Sequence, residues 1–411
     1  MFFLWRLKKE PVHVYIQLQF WSQFFFSSVF TVNLLYQATI VQLNPLQLIL
    51  VGTVLEATVL LCELPTGIIA DRISRKVSII LGYVLIGVGF LLQGMVPLFW
   101  AVLASQLIWG LGYTCISGAT QAWLADEAGN EKASAAFVKG ARMEHAAQFM
   151  AIPFSVCVGY FSLTVPIIIG GLGMMGIACI LFYAMKENNF QKNTGVDYSI
   201  TAYLKKTFFH ISDFCRRSMV MRLLLGITVC FGFFSEAFDR LWVTHLLAND
   251  VLRHLSESYS VYFFGGIQFV VALLSFLALR KIEGVFLFQR MKTVYRLLLL
   301  CSLMLVAGAF GFAWSRSMLA LLFFYGIVHI MRNVMMPIEN IWLNSLIPET
   351  THRAAFFSMK GQVDAMGQII GGPFIGALAV RSTLSLAYTA SALILIPACF
   401  MYHKAMTISR S

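Results

Sequence analysis

The residues that invite chemistry are ionisable groups lying inside long apolar stretches. Glu236-Ala-Phe-Asp239-Arg240 interrupts one such stretch, and His329, Arg332, Asn333, Glu339 and Asn340 interrupt another. Earlier in the chain Glu56 and Glu63 interrupt a third, which runs into Gly67-Ile-Ile-Ala-Asp71-Arg72-Ile-Ser-Arg75-Lys76. A charge at the centre of a bilayer costs about 2.5–3.5 kcal/mol on insertion scales, so such groups usually mark a pathway or a pairing. The chemistry open to them is proton uptake and release, ion pairing and recognition of a charged solute. Enzyme chemistry lacks its signatures: there is no phosphate-cradling loop, no H-E-x-x-H and no C-x-x-C. No metal site and no cofactor are implied.

Spacing decides which of these side chains share a face. At 100° per residue, Glu56, Glu63 and Gly67 fall on one side of a helix that leads to Asp71, and that side should look into the protein. Glu56 lies near mid-span, where a carboxyl group removed from water either carries a proton or stays neutral and hydrogen-bonded to a neighbouring helix. Glu236 and Arg240 are placed to pair at i, i+4, which leaves Asp239 as the less compensated acid. Arg332 and Glu339, seven apart, share a face. The two stretches could therefore meet through opposite charges, either as static pairs or as a site for substrate or protons.

The elements that must position these groups follow from composition. The chain has 411 residues, 59% of them hydrophobic and 12% charged, against roughly 25% charged in an average soluble domain. A span needs about 20 apolar residues. Windows of about 19 residues place spans near 12–36, 46–70, 77–96, 98–124, 138–162 and 164–186, then near 218–247, 259–280, 293–314, 318–346, 356–380 and 382–403. One long polar stretch, Lys186 to Arg217, separates the two sets. The reading is an all-α membrane protein with twelve transmembrane helices in two six-helix bundles: an N-terminal half over 1–186, a cytoplasmic linker over 187–217 and a C-terminal half over 218–411. Met1 to Glu10 leads straight into a span too long for a cleavable signal.

Of the 30 Lys and Arg, only Arg253, Arg316 and Arg381 fall in loops on one side; Arg240 and Arg332 lie within spans and the rest fall on the other. Because cytoplasmic loops hold the excess of positive charge, both termini are expected in the cytoplasm, with the chain in the cell (inner) membrane. That distribution also accounts for the net charge of +11 without a nucleic-acid partner. The eight cysteines mostly fall inside spans and read as packing residues. Phe24-Phe25-Phe26 and the stretch from Phe231 to Phe234 read as lipid-facing or packing groups.

The halves repeat. Trp123-Leu124 followed by Ala135-Ala136-Phe137 is echoed by Trp342-Leu343 followed by Ala354-Ala355-Phe356, and Gln148 with Pro153 is echoed by Gln368 with Pro373. Glu144, His145 and Asp364 lie near the inner ends of the fifth and eleventh spans, at matching repeat positions. A duplication of this kind places a solute site near the midplane between the repeats. With its G-x3-D-R-x2-R-K loop after the second span, the chain resembles the major facilitator superfamily, and an efflux-type bacterial member in particular.

The resemblance implies that Gly67 permits close packing of the second and eleventh spans. It also implies that Asp71, Arg72 and Arg75, with Lys76 beside them, form a charge network latching the outward-facing state. Such a latch should be weak, since a carboxylate near a helix N-terminus gains only about 0.3–1 kcal/mol from the dipole. The matching place in the second half reads Ala278-Leu279-Arg280-Lys281 and lacks the acid, so the latch is one-sided. Two patterns of the family are displaced: Gln106 stands where many proton-driven members carry Arg, and the glycine-proline pattern of drug exporters lies in the eleventh span as Gly367-x3-Gly371-Gly372-Pro373-x2-Gly376. There the glycines let a neighbouring helix approach closely and the proline leaves a bend.

The expected function is secondary active transport of a small molecule by alternating access, with proton-coupled efflux of amphipathic compounds as the leading form. Glu56, Glu63, Glu236, Asp239, Arg240, Arg332, Glu339 and Asp364 are the candidate proton or substrate groups. Import of a nutrient or metal chelate, with Arg240 and Arg332 taking an anionic substrate, is the alternative, and a non-transporting membrane scaffold or receptor is the reading from another class. The expected partners are the solute, protons and membrane lipid, with the protein a monomer.

Overall fold

The computed structural model describes residues 10–190, 218–248, 256–283, 291–347 and 353–408. Thirteen helices account for most of them, and no strand occurs among the described residues. They are α1 (Pro11–Thr39), α2 (Pro45–Arg72), α3 (Arg75–Met95), α4 (Phe99–Ile116), α5 (Ala119–Ala128), α6 (Asn130–Gly159) and α7 (Thr164–Ala184). The second series is α8 (Met219–Leu247), α9 (Glu257–Glu283), α10 (Met291–Trp314), α11 (Met318–Leu346), α12 (Arg353–Arg381) and α13 (Leu384–Ile408).

Local chemistry fixes the starts. Pro11 opens α1, where its missing N–H costs nothing. Ser74, Ser218 and Ser317 cap α3, α8 and α11 by accepting from the N–H groups of Val77, Met221 and Ala320. Among the described residues, ten stretches are long and apolar enough to cross a membrane. Helices α1 and α6 are equally long but fall short of that measure in composition. α6 begins at Asn130, eight residues before the expected start at 138, so that Lys132 is carried on helix rather than in a loop. The expected fourth span is broken into α4 and α5, since Gly118 takes a left-handed φ of +72° that a helix cannot include.

The described residues group into two compact units. One takes residues 10–43, 54–190 and 256–269; the other takes 44–53, 218–248 and the described residues from 270 onward. Chain order therefore gives way at α2 and α9, each of which has its first part in the unit opposite its remainder. Within the first unit α1 packs on α6 and α7, and α3 packs on α4 and α7. Within the second, α8 packs on α12 and α13, and α10 packs on α11 and α13. The packing pattern is thus the same in each, as the repeated sequence requires. Trp123 and Trp342, the repeat partners, are both fully buried, and they donate to the Lys186 carbonyl and the Tyr295 hydroxyl respectively.

Candidate functional site

In the second unit the charged residues of α8 form two ion pairs, one within the helix and one to α11. Arg240 Nε donates to Glu236 Oε1 at 3.1 Å, and Glu236 is 2% exposed. The guanidinium of Arg332 on α11 grips both oxygens of Asp239, with Nη2 to Oδ2 at 2.8 Å. Asp239 is therefore not the less compensated acid that i, i+4 arithmetic suggested: a cation 93 residues away holds it, and helix spacing carries no information on such a contact. Around this fork lie the rings of Phe238, Trp242, Tyr325 and His329. His329 Nε2 is buried with no hydrogen-bond partner among the described residues. Asn333 completes the face by donating to Ser275 Oγ on α9.

Glu339 shares a helix face with Arg332, yet its partners lie elsewhere. Lys360 Nζ on α12 donates to Glu339 Oε2 at 2.9 Å, and the buried Tyr402 hydroxyl on α13 donates to the other oxygen. One carboxylate so ties three helices. Asp364, one turn beyond Lys360, accepts from Gln368 Nε2 at 2.9 Å.

The glycines of α12 bring it close to α8. Gly367 lies against Val229 O and Gly232 Cα, Gly371 against Phe233, and Gly372 against Glu236. The backbones approach directly at Gly232 and Gly367, a crossing that only small residues permit. Pro373 sits inside the same helix.

In the first unit Glu144 on α6 accepts from Gln19 on α1, the repeat counterpart of the Asp364 contact in being an acid with an amide partner. Glu56 and Glu63 are half-buried on α2. A further buried polar cluster in this unit carries no signal as a site in the sequence. Asn33 and Gln37 on α1, Gln93 on α3, and Ser105, Gln106 and Trp109 on α4 form a chain of side-chain hydrogen bonds. Every member is buried. Gln106, at the position where many proton-driven members of the resembled family carry Arg, is one link in this neutral network.

At the end of α2 the G-x3-D-R-x2-R-K order of charges becomes a cluster. Arg75 Nε donates to Asp71 Oδ1 at 3.1 Å, and its Nη1 donates to Asp126 on α5. Lys76 Nζ reaches the Phe182 carbonyl at 3.0 Å, while Arg72 is exposed. Asp71 does not occupy a helix N-terminus as expected: it lies in the last turn of α2. Glu187 takes that place, accepting from Ser74 Oγ and from the backbone N–H groups of Arg75 and Lys76. Glu127 similarly accepts from the backbone of Asn188 and Asn189, and Arg75 stacks on Phe190. The start of the expected linker is thus bonded to the first unit; residues 191–217 lie outside the described residues. A methyl at Gly67 would meet no heavy atom of the described residues within 4 Å.

Membrane-length helices that bury ion pairs and acid–amide contacts define a multi-pass membrane protein. The model of the Major Facilitator Superfamily matches residues 18–331, and the chain belongs to that superfamily. It is a transporter and not an enzyme. A curated relative, an uncharacterized MFS-type transporter YxaM of Bacillus subtilis (strain 168), is 24% identical over 378 residues, covering 87% of this chain and 86% of that one. Among solved structures, the nucleoside transporter NupG superposes with a TM-score of 0.77 at 14% identity, over 96% of this chain and 98% of that one. The peptide transporter POT in complex with sulfate gives 0.72 at 14% identity, over 97% and 95%. A bacterial homolog of the human lysosomal transporter Spinster, inward-facing and unoccupied, gives 0.71 at 14%, over 97% of each.

Proposed function

We propose that the protein is a proton-coupled transporter that exports amphipathic small molecules by alternating access between two six-helix halves. Both termini lie in the cytoplasm, and the linker joins the halves on that side. The observation that supports the proton coupling is the pair of repeat-related acids, Glu144 and Asp364, each hydrogen-bonded to a glutamine amide and, among the described residues, not to a cation. An acid locked to a guanidinium stays charged, whereas one facing an amide can exchange a proton without breaking an ion pair. Glu56, half-buried in α2, is the third candidate.

The importer alternative asks Arg240 and Arg332 to bind an anionic solute. It loses support because each guanidinium already holds a carboxylate. Asp71, Arg75 and Asp126 form the latch, and the partial exposure of its two carboxylates lets it break in each cycle.

Accumulation of a panel of fluorescent dyes and antibiotics tests the proposal, in cells with and without the protein and with the proton gradient intact or collapsed. Lower accumulation that disappears with the gradient is expected. Higher accumulation would replace export by import, and no change for any solute would leave the transport proposal without its substrate class.

A further inference from the structure

Helix α2 is divided between the two compact units: residues 45–53 group with the second and the remainder with the first. The division falls within the helical stretch ahead of Pro65, where no proline interrupts the backbone hydrogen bonds. The contacts that residues 45–53 make within the second unit therefore decide how firmly this end of the helix is held there. Gly52 lies directly on the Glu236–Arg240 pair, and a methyl there would collide with the Glu236 carboxylate and with Arg240 Nε. Ile49 and Leu46, one turn and two turns earlier, pack on Gly372 and Gly376 of α12, and Gly372 in turn touches Glu236 Cγ. The ion pair is therefore enclosed by glycines of two helices, which explains how a carboxylate comes to be 2% exposed there. Water excluded from the pair strengthens it and with it the docked position of α2.

We infer that Gly52 is a positioning residue of the transport cycle: its missing side chain lets residues 45–53 dock over the Glu236–Arg240 pair, and release of this contact opens the outer end of the solute pathway. The inference rests on the alternating-access reading. Larger residues at 52 would hold the segment off the pair and favour the released state.

The test is the rate at which a membrane-impermeant maleimide labels Thr53→Cys, in intact cells and in inverted vesicles, relative to the same chain without that cysteine. Gly52→Ala is expected to raise the rate about tenfold, the shift given by overpacking that costs the docked state about 1.4 kcal/mol. Shortening the acid with Glu236→Asp in the Gly52→Ala background should return it towards the native rate. Gly176→Ala, where a methyl meets nothing within 4 Å, should leave it unchanged. An unchanged rate in Gly52→Ala, or an equal rise in Gly176→Ala, overturns the inference. A tenfold rise in a protein that moves no solute would instead sustain the docking contact and remove the transport reading.

Discussion

Replacing Lys360 by Met removes the ammonium that faces Glu339 while keeping the length and apolar stem of the side chain. The Lys360 and Glu339 side chains are 17% and 14% exposed, and Tyr402, the other partner, is fully buried. Removing one member of a buried ion pair costs about 3–5 kcal/mol, because the remaining charge keeps its desolvation penalty. The residual exposure of this pair places the loss near the lower end, about 3 kcal/mol. For a unit of about 200 residues each kcal/mol moves Tm by roughly 2–4 °C, so the purified variant should unfold roughly 6–12 °C earlier than the native chain. Tryptophan fluorescence in detergent during a thermal ramp reports this directly, since the Trp342 ring lies 5.8 Å from that of Tyr402. The double variant Lys360→Met, Glu339→Gln leaves two neutral groups and an amide within reach of the Tyr402 hydroxyl, and most of the stability should return. A single variant within about 2 °C of native, or a double variant no better than the single, would refute the reasoning that this carboxylate ties three helices together through charge.

Further outcomes follow from other contacts. Arg75→Lys should slow transport at unchanged expression, because an ammonium cannot span Asp71 and Asp126 as the guanidinium fork does. Asp71→Ala should slow it in either direction, and full activity in that variant would remove the gating assignment. Gly367→Val should cost about 1–3 kcal/mol in the same thermal assay, since the added groups meet the α8 backbone, whereas Gly361→Ala, with nothing within 4 Å, should not. Glu144→Gln and Asp364→Asn should each flatten the pH dependence of transport measured with a dye substrate. A Glu56→Gln variant with the native pH profile would exclude Glu56 from the proton route.

The sequence by itself determined the membrane environment, the helices and the repeat. Hydropathy acts over about 20 consecutive residues and does not depend on neighbours in space, so α2, α8 and α11 lie within three residues of where windows placed them. The Glu236–Arg240 pair was equally legible, because four residues is one helical turn. Tertiary structure alone decided everything joined across helices. Asp239 took Arg332 as its partner, Glu339 took Lys360 and Tyr402, and Glu187 moved to the N-terminus of α3. Periodicity states which face a residue occupies, not which helix arrives there. The amide network of Asn33, Gln93 and Gln106 escaped for a related reason: neutral amides barely disturb a hydropathy window, and only packing reveals that they meet. The breaking of the fourth span at Gly118 escaped as well, since the left-handed φ that interrupts it is a choice glycine permits and does not announce.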